Sequence, residues 1–525
     1  MKGIAAAAAA AFLLCGLGSS QPGLTIDEGL NVRPGVVLVR AEWQSGLATL
    51  SPSLQSEIFT ELQPHDYPPL GRVVLGLAHE AVVAVRGSHA TGSPGGIDVT
   101  AARWGSAACF GLTIALVGWF TLRWAGSLAG LAAAVAMLTT PRLLAHAQIA
   151  SIETVLNLVY AACVLITADR LAVTPTPKRA AACGVLWGLV LLTKIQAVLI
   201  PIPLAAWLLW RFRKAAVAPL AIYGAVGLAV FVIGWPWLWG DPIGRVPAYF
   251  GGDGRATLHA FYLGQTWADR DVPWHYPLVW FATTQPVVWL LLGAWGSART
   301  LRERDGQPRD GRLLFALMAA AFPLLFFAMP GITVYDGARL FLVSLPLWAV
   351  LVGVGAEAAW SRLPSLRIPL AAASVLLPAV QMATLWPCGL SHFSITTKAA
   401  AAIGLETTYW GDSLTPAFWA ESLQGRGGAV VGVAPTLHPF QLTEQSYHLP
   451  SYGLPPDVML VPWPGNETAA ATDLMVFARR ADLKPESTER RLLGVPIGET
   501  VDGWTVRHRL VRQGVVLAVH AVRAE

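Results

Sequence analysis

Asp27 and Glu28 stand side by side in TIDEGL, residues 25–30, within a chain that is only 13% charged. A carboxylate at the mouth of a membrane cavity can accept a proton from an incoming hydroxyl, and partial desolvation raises its pKa toward a useful value. The same pair suits a helix start, because Thr25 or Asp27 can cap a following turn and acids favour a helix N-terminus. Sequence alone leaves both readings open. In HDYPPLGR, His65 and Asp66 offer polar groups just ahead of an apolar helix, which two prolines introduce. Lys194 ends the apolar run GLVLLTK, and Arg339 lies in VYDGARLF, three residues after Asp336. Each cation either snorkels to the interface or binds a lipid-linked phosphate. Asp269, Asp271 and His275 in WADRDVPWHY are of types that ligate a divalent cation, although loop clusters of this kind are more often solvated. Trp274 and Tyr276 fit an interfacial aromatic belt or stacking on the apolar face of a sugar.

The elements that must position these groups are membrane helices. The 525 residues are 54% hydrophobic, with 22 Trp and 37 Pro, and carry about half the charged fraction of a soluble domain. The net charge of +5 does not point to nucleic acid, because the basic residues sit in short loops between apolar runs. The five cysteines are scattered, without CxxC or metal-ligand spacing, and read as small buried hydrophobes. About eleven spans are expected, near 3–19, 102–122, 126–141, 149–168, 180–194, 196–211, 215–239, 276–298, 313–330, 338–358 and 368–387. Residues 1–20 are either a cleaved signal or a retained first helix. Lys and Arg concentrate in alternate loops, including 299–312, which makes those loops cytoplasmic. That leaves 20–101, 141–153, 240–275 and the chain after about 388 on the outer side. Within the first outer loop, 71–85 is too short to span and is expected to lie along the membrane surface.

The expected fold class is therefore a polytopic α-helical membrane protein with a large first outer loop and a small C-terminal α/β soluble domain. Residues 1–387 form the membrane domain, with outer loops 20–101 and 240–275, and 388–525 the extracytoplasmic domain. The runs GAVVGVAP, DVMLVPW, DLMVFA and VVLAVHAV read as its strands. No Walker A loop and no GxGxxG opening a helix occurs, so an outward-facing enzyme would need a donor already activated on that side. A lipid-phosphate-linked sugar meets that need.

With IDEGL, HDYPPLGR, PRLLAHAQIASIETVLNL, GLVLLTK, PWHYPLVW and YDGARLFLVSLPLWAV in that order over roughly residues 1–387, the chain resembles the GT-C glycosyltransferase superfamily. The likeness is to its bacterial protein O-mannosyltransferase and aminoarabinose transferase branch. The resemblance implies Asp27 as catalytic base with Glu28 as its neighbour, and Lys194 and Arg339 at the donor phosphate. Substrate-binding candidates are His65, Asp66, Trp274, His275, Tyr276 and Asp336. Two departures stand out: Glu153 occupies the turn where the family often has Asp, and HPPL is spelled HDYPPL. GLETTYWGD, at 404–412, looks like a feature of bacterial members and carries no assigned role.

The implied reaction is a single inverting displacement. An acceptor hydroxyl or amine, on a protein, lipid or glycan, attacks a sugar carried on polyprenyl phosphate. No cofactor is required; a divalent metal is possible but not favoured, and no metal ligands are assigned. The implied location is a bacterial inner membrane, with site and C-terminus facing the periplasm. The rival function is a transporter or flippase for lipid-linked sugars, which should show repeated halves and mid-membrane charges.

Overall fold

A computed structural model describes residues 1–46, 51–58, 67–90, 92–251, 257–302, 311–436, 438–464 and 470–524. Each of the eleven expected apolar segments is helical in whole or in large part. By length and composition, five described helices are apolar and long enough to cross a membrane, or up to seven if each bent pair is one span. This count falls below eleven because two expected spans are bent pairs, those near 196–211 and 215–239 run together as Ile195–Gly234, and three others, among them Pro177–Leu191, are shorter. Ser127–Leu138 and Pro141–Ala147 meet at 63°, and Tyr276–Thr284 and Val287–Arg302 meet at 116° across Pro286. Shorter apolar helices, Lys2–Leu17 and Arg312–Phe327, fall below the length criterion. The helix Arg367–Leu385 exposes Leu376 and Leu377 by 61% and 59%, as a lipid-facing helix would.

Expected as a surface segment, 71–85 belongs to the helix Pro69–Arg86, whose buried face packs against Ile26–Ser45 and Val99–Ala125. Glycines set that contact. A Cβ on Gly76 would meet the Gly35 carbonyl oxygen at 2.4 Å, and one on Gly35 would meet the Arg72 carbonyl oxygen at 2.3 Å. Gly76→Ala is therefore expected to cost about 1–3 kcal/mol by overpacking. Thermal unfolding of the purified variant reads it directly; an unchanged midpoint would mean that the two helices separate freely.

The C-terminal region folds around one mixed six-stranded sheet, in the order β4-β3-β5-β8-β7-β6. The strands are β3 (Val430–Ala434), β4 (Met459–Pro462), β5 (Asp473–Phe477), β6 (Thr500–Val501), β7 (Trp504–Arg512) and β8 (Val515–Arg523). All four strands read from sequence are present. β3 pairs in parallel with β4 and β5, while β5, β8, β7 and β6 pair antiparallel in turn. DLMVF is buried at every position, as a central strand covered on both faces requires. A separate hairpin, β1 (His259–Tyr262) and β2 (Gln265–Ala268), lies in the outer loop 240–275.

Candidate active site

Thr25 starts the helix Ile26–Ser45, and that start separates the two acids. Glu28 accepts the Thr25 backbone N–H at 2.8 Å and its hydroxyl at 3.1 Å, the reciprocal half of a capping arrangement. Its oxygens also receive Arg103 Nε at 2.6 Å, Arg103 Nη2 at 2.7 Å and the Ala150 backbone N–H at 2.7 Å. Glu28 is 1% exposed and both its oxygens are engaged. In place of the expected partnership with Asp27 in catalysis, its geometry is that of a capping and ion-pairing residue. Adjacent helical residues diverge by roughly 100°, so Asp27 looks elsewhere.

Asp27 meets Arg339, which also donates to Glu153 at 2.7 Å and to Asp336 at 3.0 Å. Lys194 reaches the same Glu153 oxygen at 2.5 Å, and Arg479 reaches Asp336 at 3.0 Å. Three carboxylates and three cations thus gather from five distant stretches of chain. Asp27 is the most open of the six side chains at 18%; the others are 5% exposed or less. Burial pushes the Asp27 carboxyl up, while Arg339 and Lys194 pull it down and Glu153 and Asp336 oppose them. Its backbone carbonyl is held by the Asn31 amide at 2.8 Å, and Asn31 in turn receives Arg72 at 3.3 Å.

Local chain breaks deliver the cations. Lys194 follows the helix Pro177–Leu191 in extended backbone, at a break before Ile195–Leu199. Tyr67, the first described residue of the HDYPPLGR motif, lies against both Lys194 and Arg72, with ring centroid distances of 5.4 and 5.2 Å. His65 and Asp66 lie outside the described residues. Asp336 adopts φ 54°, a left-handed conformation uncommon for a non-glycine residue, and turns the chain ahead of Arg339.

Beside this cluster, a narrow cleft is lined by Phe261, Tyr276, Asp336, Glu406, Tyr409 and Arg479, among others. Tyr276 is buried, and its hydroxyl accepts the Gly337 N–H at 2.9 Å. Its two neighbours in WHY are outside the cluster: His275 bonds the Tyr262 hydroxyl at 2.6 Å, and Trp274 is 62% exposed. Asp269 is drawn into the hairpin by the Leu258 N–H. Among the described residues no three His, Cys, Asp or Glu side chains gather in a way that could hold a metal.

Burial pushes the Glu406 carboxyl up to about 8, against the pull of the Arg480 and Ala481 N–H groups and of Arg479. The unfolded chain loses this proton near its ordinary value of about 4.3, whereas the fold retains it. The contribution to stability is therefore full below that value and is lost as pH rises through about 8. Melting curves should show a decline between roughly pH 5 and pH 8 that is smaller in Glu406→Gln. Equal slopes in both proteins would contradict it.

The sequence reading missed Trp410, Tyr409, His146, Arg103 and Arg479. The first two lay in the quoted but unassigned GLETTYWGD, and His146 in PRLLAHAQIAS. His146 lies 3.3 Å from the Tyr409 hydroxyl and 3.3 Å from Ser151 Oγ, which donates to Glu153 at 2.8 Å.

This helical assembly, with its buried cluster of charge and appended sheet, has the fold of a known structure. It is similar over its whole length to ArnT from Cupriavidus metallidurans, at 15% sequence identity and a TM-score of 0.52. The match covers 98% of this chain and 97% of that one, in the apo state and in the structure bound to undecaprenyl phosphate. The archaeal oligosaccharyltransferase AglB from Archaeoglobus fulgidus, in complex with an inhibitory peptide and a dolichol-phosphate, matches at 12% identity and a TM-score of 0.43, covering 90% of this chain and 69% of its own. No protein-family profile matches the sequence, and no curated protein matches it.

Proposed function

We propose that the chain is an inverting glycosyltransferase that uses a polyprenyl-phosphate-linked sugar on the extracytoplasmic face of the membrane. The observation that carries this reading is the meeting of Asp27, the most open acid of the cluster, with Arg339 and its neighbour Lys194. The similarity in fold to ArnT, whose structure holds undecaprenyl phosphate, supports a lipid phosphate as the carrier.

In this reading Asp27 takes the proton from an acceptor hydroxyl or amine as that atom attacks the anomeric carbon. The bond from the anomeric carbon to the phosphate oxygen breaks, its electrons pass to the oxygen, and the lipid phosphate departs. Arg339 and Lys194 stabilise the growing negative charge. Glu153 keeps both cations aimed at one point, and Glu28 holds the helix that presents Asp27. Tyr276 and Asp336 contribute to substrate binding from the cleft. Positioning and charge stabilisation then account for the rate without a required metal.

Purified protein offered a panel of radiolabelled polyprenyl-phosphate sugars should transfer label to an acceptor, with inversion at the anomeric carbon read by NMR. Retained configuration would exclude the single displacement. Movement of intact lipid-linked sugar across a proteoliposome bilayer, with no transfer, would establish the flippase instead.

A further inference from the structure

GLETTYWGD, residues 404–412, forms no strand and is inserted between the helical part and the sheet. Its Trp410 is 1% exposed and touches three components of the site at once. The indole Nε1–H donates to Asp336 Oδ2 at 3.0 Å, and the ring face lies 4.7 Å from the Arg339 guanidinium. The Trp410 carbonyl accepts the Ile26 N–H at 3.1 Å, one residue before Asp27. Two residues on, the Asp412 carbonyl accepts the Gly23 N–H at 2.9 Å. The edge of His146 closes the far side at a centroid distance of 5.2 Å.

Arg479 arrives from the other direction. It lies just past the carboxyl end of β5, where open α/β sheets tend to present functional groups. Its guanidinium pairs with Asp336 Oδ1 at 3.0 Å, donates to the Tyr409 carbonyl and is braced by Asp482 at 2.5 Å. The two oxygens of Asp336 are thereby divided: Oδ1 faces Arg479, and Oδ2 receives Trp410 and Arg339.

We propose that Trp410 and Arg479 are positioning residues for the transfer reaction, holding Asp336 so that Arg339 stays directed at Asp27. This rests on the glycosyl-transfer reading above. Asp336 has more acceptor capacity than Arg339 alone satisfies, and its left-handed backbone requires support from its surroundings. Without Arg479 or the indole N–H, Asp336 draws Arg339 toward itself and away from Asp27. The base then loses part of the charge that holds its ionised form. Asp27 is faced by Arg339 and Asp336 from one loop, by Glu153 from the helix Ile152–Leu171, and by Lys194.

The test uses the full-length protein in lipid nanodiscs with Trp410→Phe, Arg479→Gln and Arg479→Lys. Trp410→Phe and Arg479→Gln should each lower kcat roughly tenfold or more, the consequence of losing a hydrogen bond to a charged group. Donor KM should stay within roughly twofold, because the loss falls after binding. Arg479→Lys should recover part of kcat. The acid limb of the kcat profile should move to higher pH in the two damaging variants. Parental kcat and an unmoved acid limb in both would overturn the proposal, as would a loss confined to KM. If Trp410→Phe does not fold, the Arg479 pair carries the same test. If the parental protein transfers no sugar, the glycosyl-transfer reading fails separately. Amide exchange at 23–28 and 335–341 then decides, with faster exchange in Arg479→Gln supporting the positioning role and unchanged exchange overturning it.

Discussion

Asp27→Asn is expected to lower kcat for sugar transfer by roughly 10²–10⁴-fold while the lipid-phosphate donor still binds. The amide is nearly the same size and can still accept a hydrogen bond from Arg339, so the turn around TIDEGL keeps its shape. It cannot take a proton. The three carboxylates also become two, and the cations around them gain an uncompensated charge. That change favours an arriving phosphate, so donor affinity should hold or rise as turnover collapses. Parallel measurement of donor binding by isothermal titration and of single-turnover transfer separates the two quantities. Undiminished turnover would remove Asp27 from the chemistry and return the acidic pair to helix capping alone.

Glu153→Gln should be damaging in a different way. Glu153 is 1% exposed and receives Lys194, Arg339 and the Ser151 hydroxyl. Removing its charge leaves two buried cations facing a neutral amide, a change that typically costs about 3–5 kcal/mol. The expected result is a clear drop in thermal stability together with loss of transfer, in contrast to Asp27→Asn, which should unfold near the parental temperature. Glu153→Asp should fall between the two, because a side chain one methylene shorter reaches Lys194 or Arg339 less readily than both. A Glu153→Gln protein with parental melting and activity would show that the cations are held by other groups.

The sequence made parts of this site readable because some residue types are costly where they stand. Asp27, Lys194 and Arg339 were each conspicuous as charges at the edge of apolar runs, and they do converge. Their convergence through Glu153 was not readable, since it joins residues 41 and 186 positions apart. Glu28 was equally conspicuous and belongs elsewhere, because neighbouring residues on a helix face different directions. The two bent spans carried their signal openly in Pro141 and Pro286, yet each pair still passes as one apolar stretch when hydropathy is averaged over its length. Four strands of the sheet followed from their apolar runs. The contribution of Arg479 did not, because nothing in FARRADL distinguishes a surface arginine from one buried against Asp336.

β8 is made late and sits in the middle of its sheet, between β5 and β7. During synthesis the helical segments, Asp27 and Arg339 leave the ribosome long before Val515–Arg523. Until that strand is paired, β5, whose end leads within two residues to Arg479, lacks one of its two neighbours. The pairing that completes β5, and with it the chain leading to Arg479, therefore waits for residues made well after the helical part of the cluster.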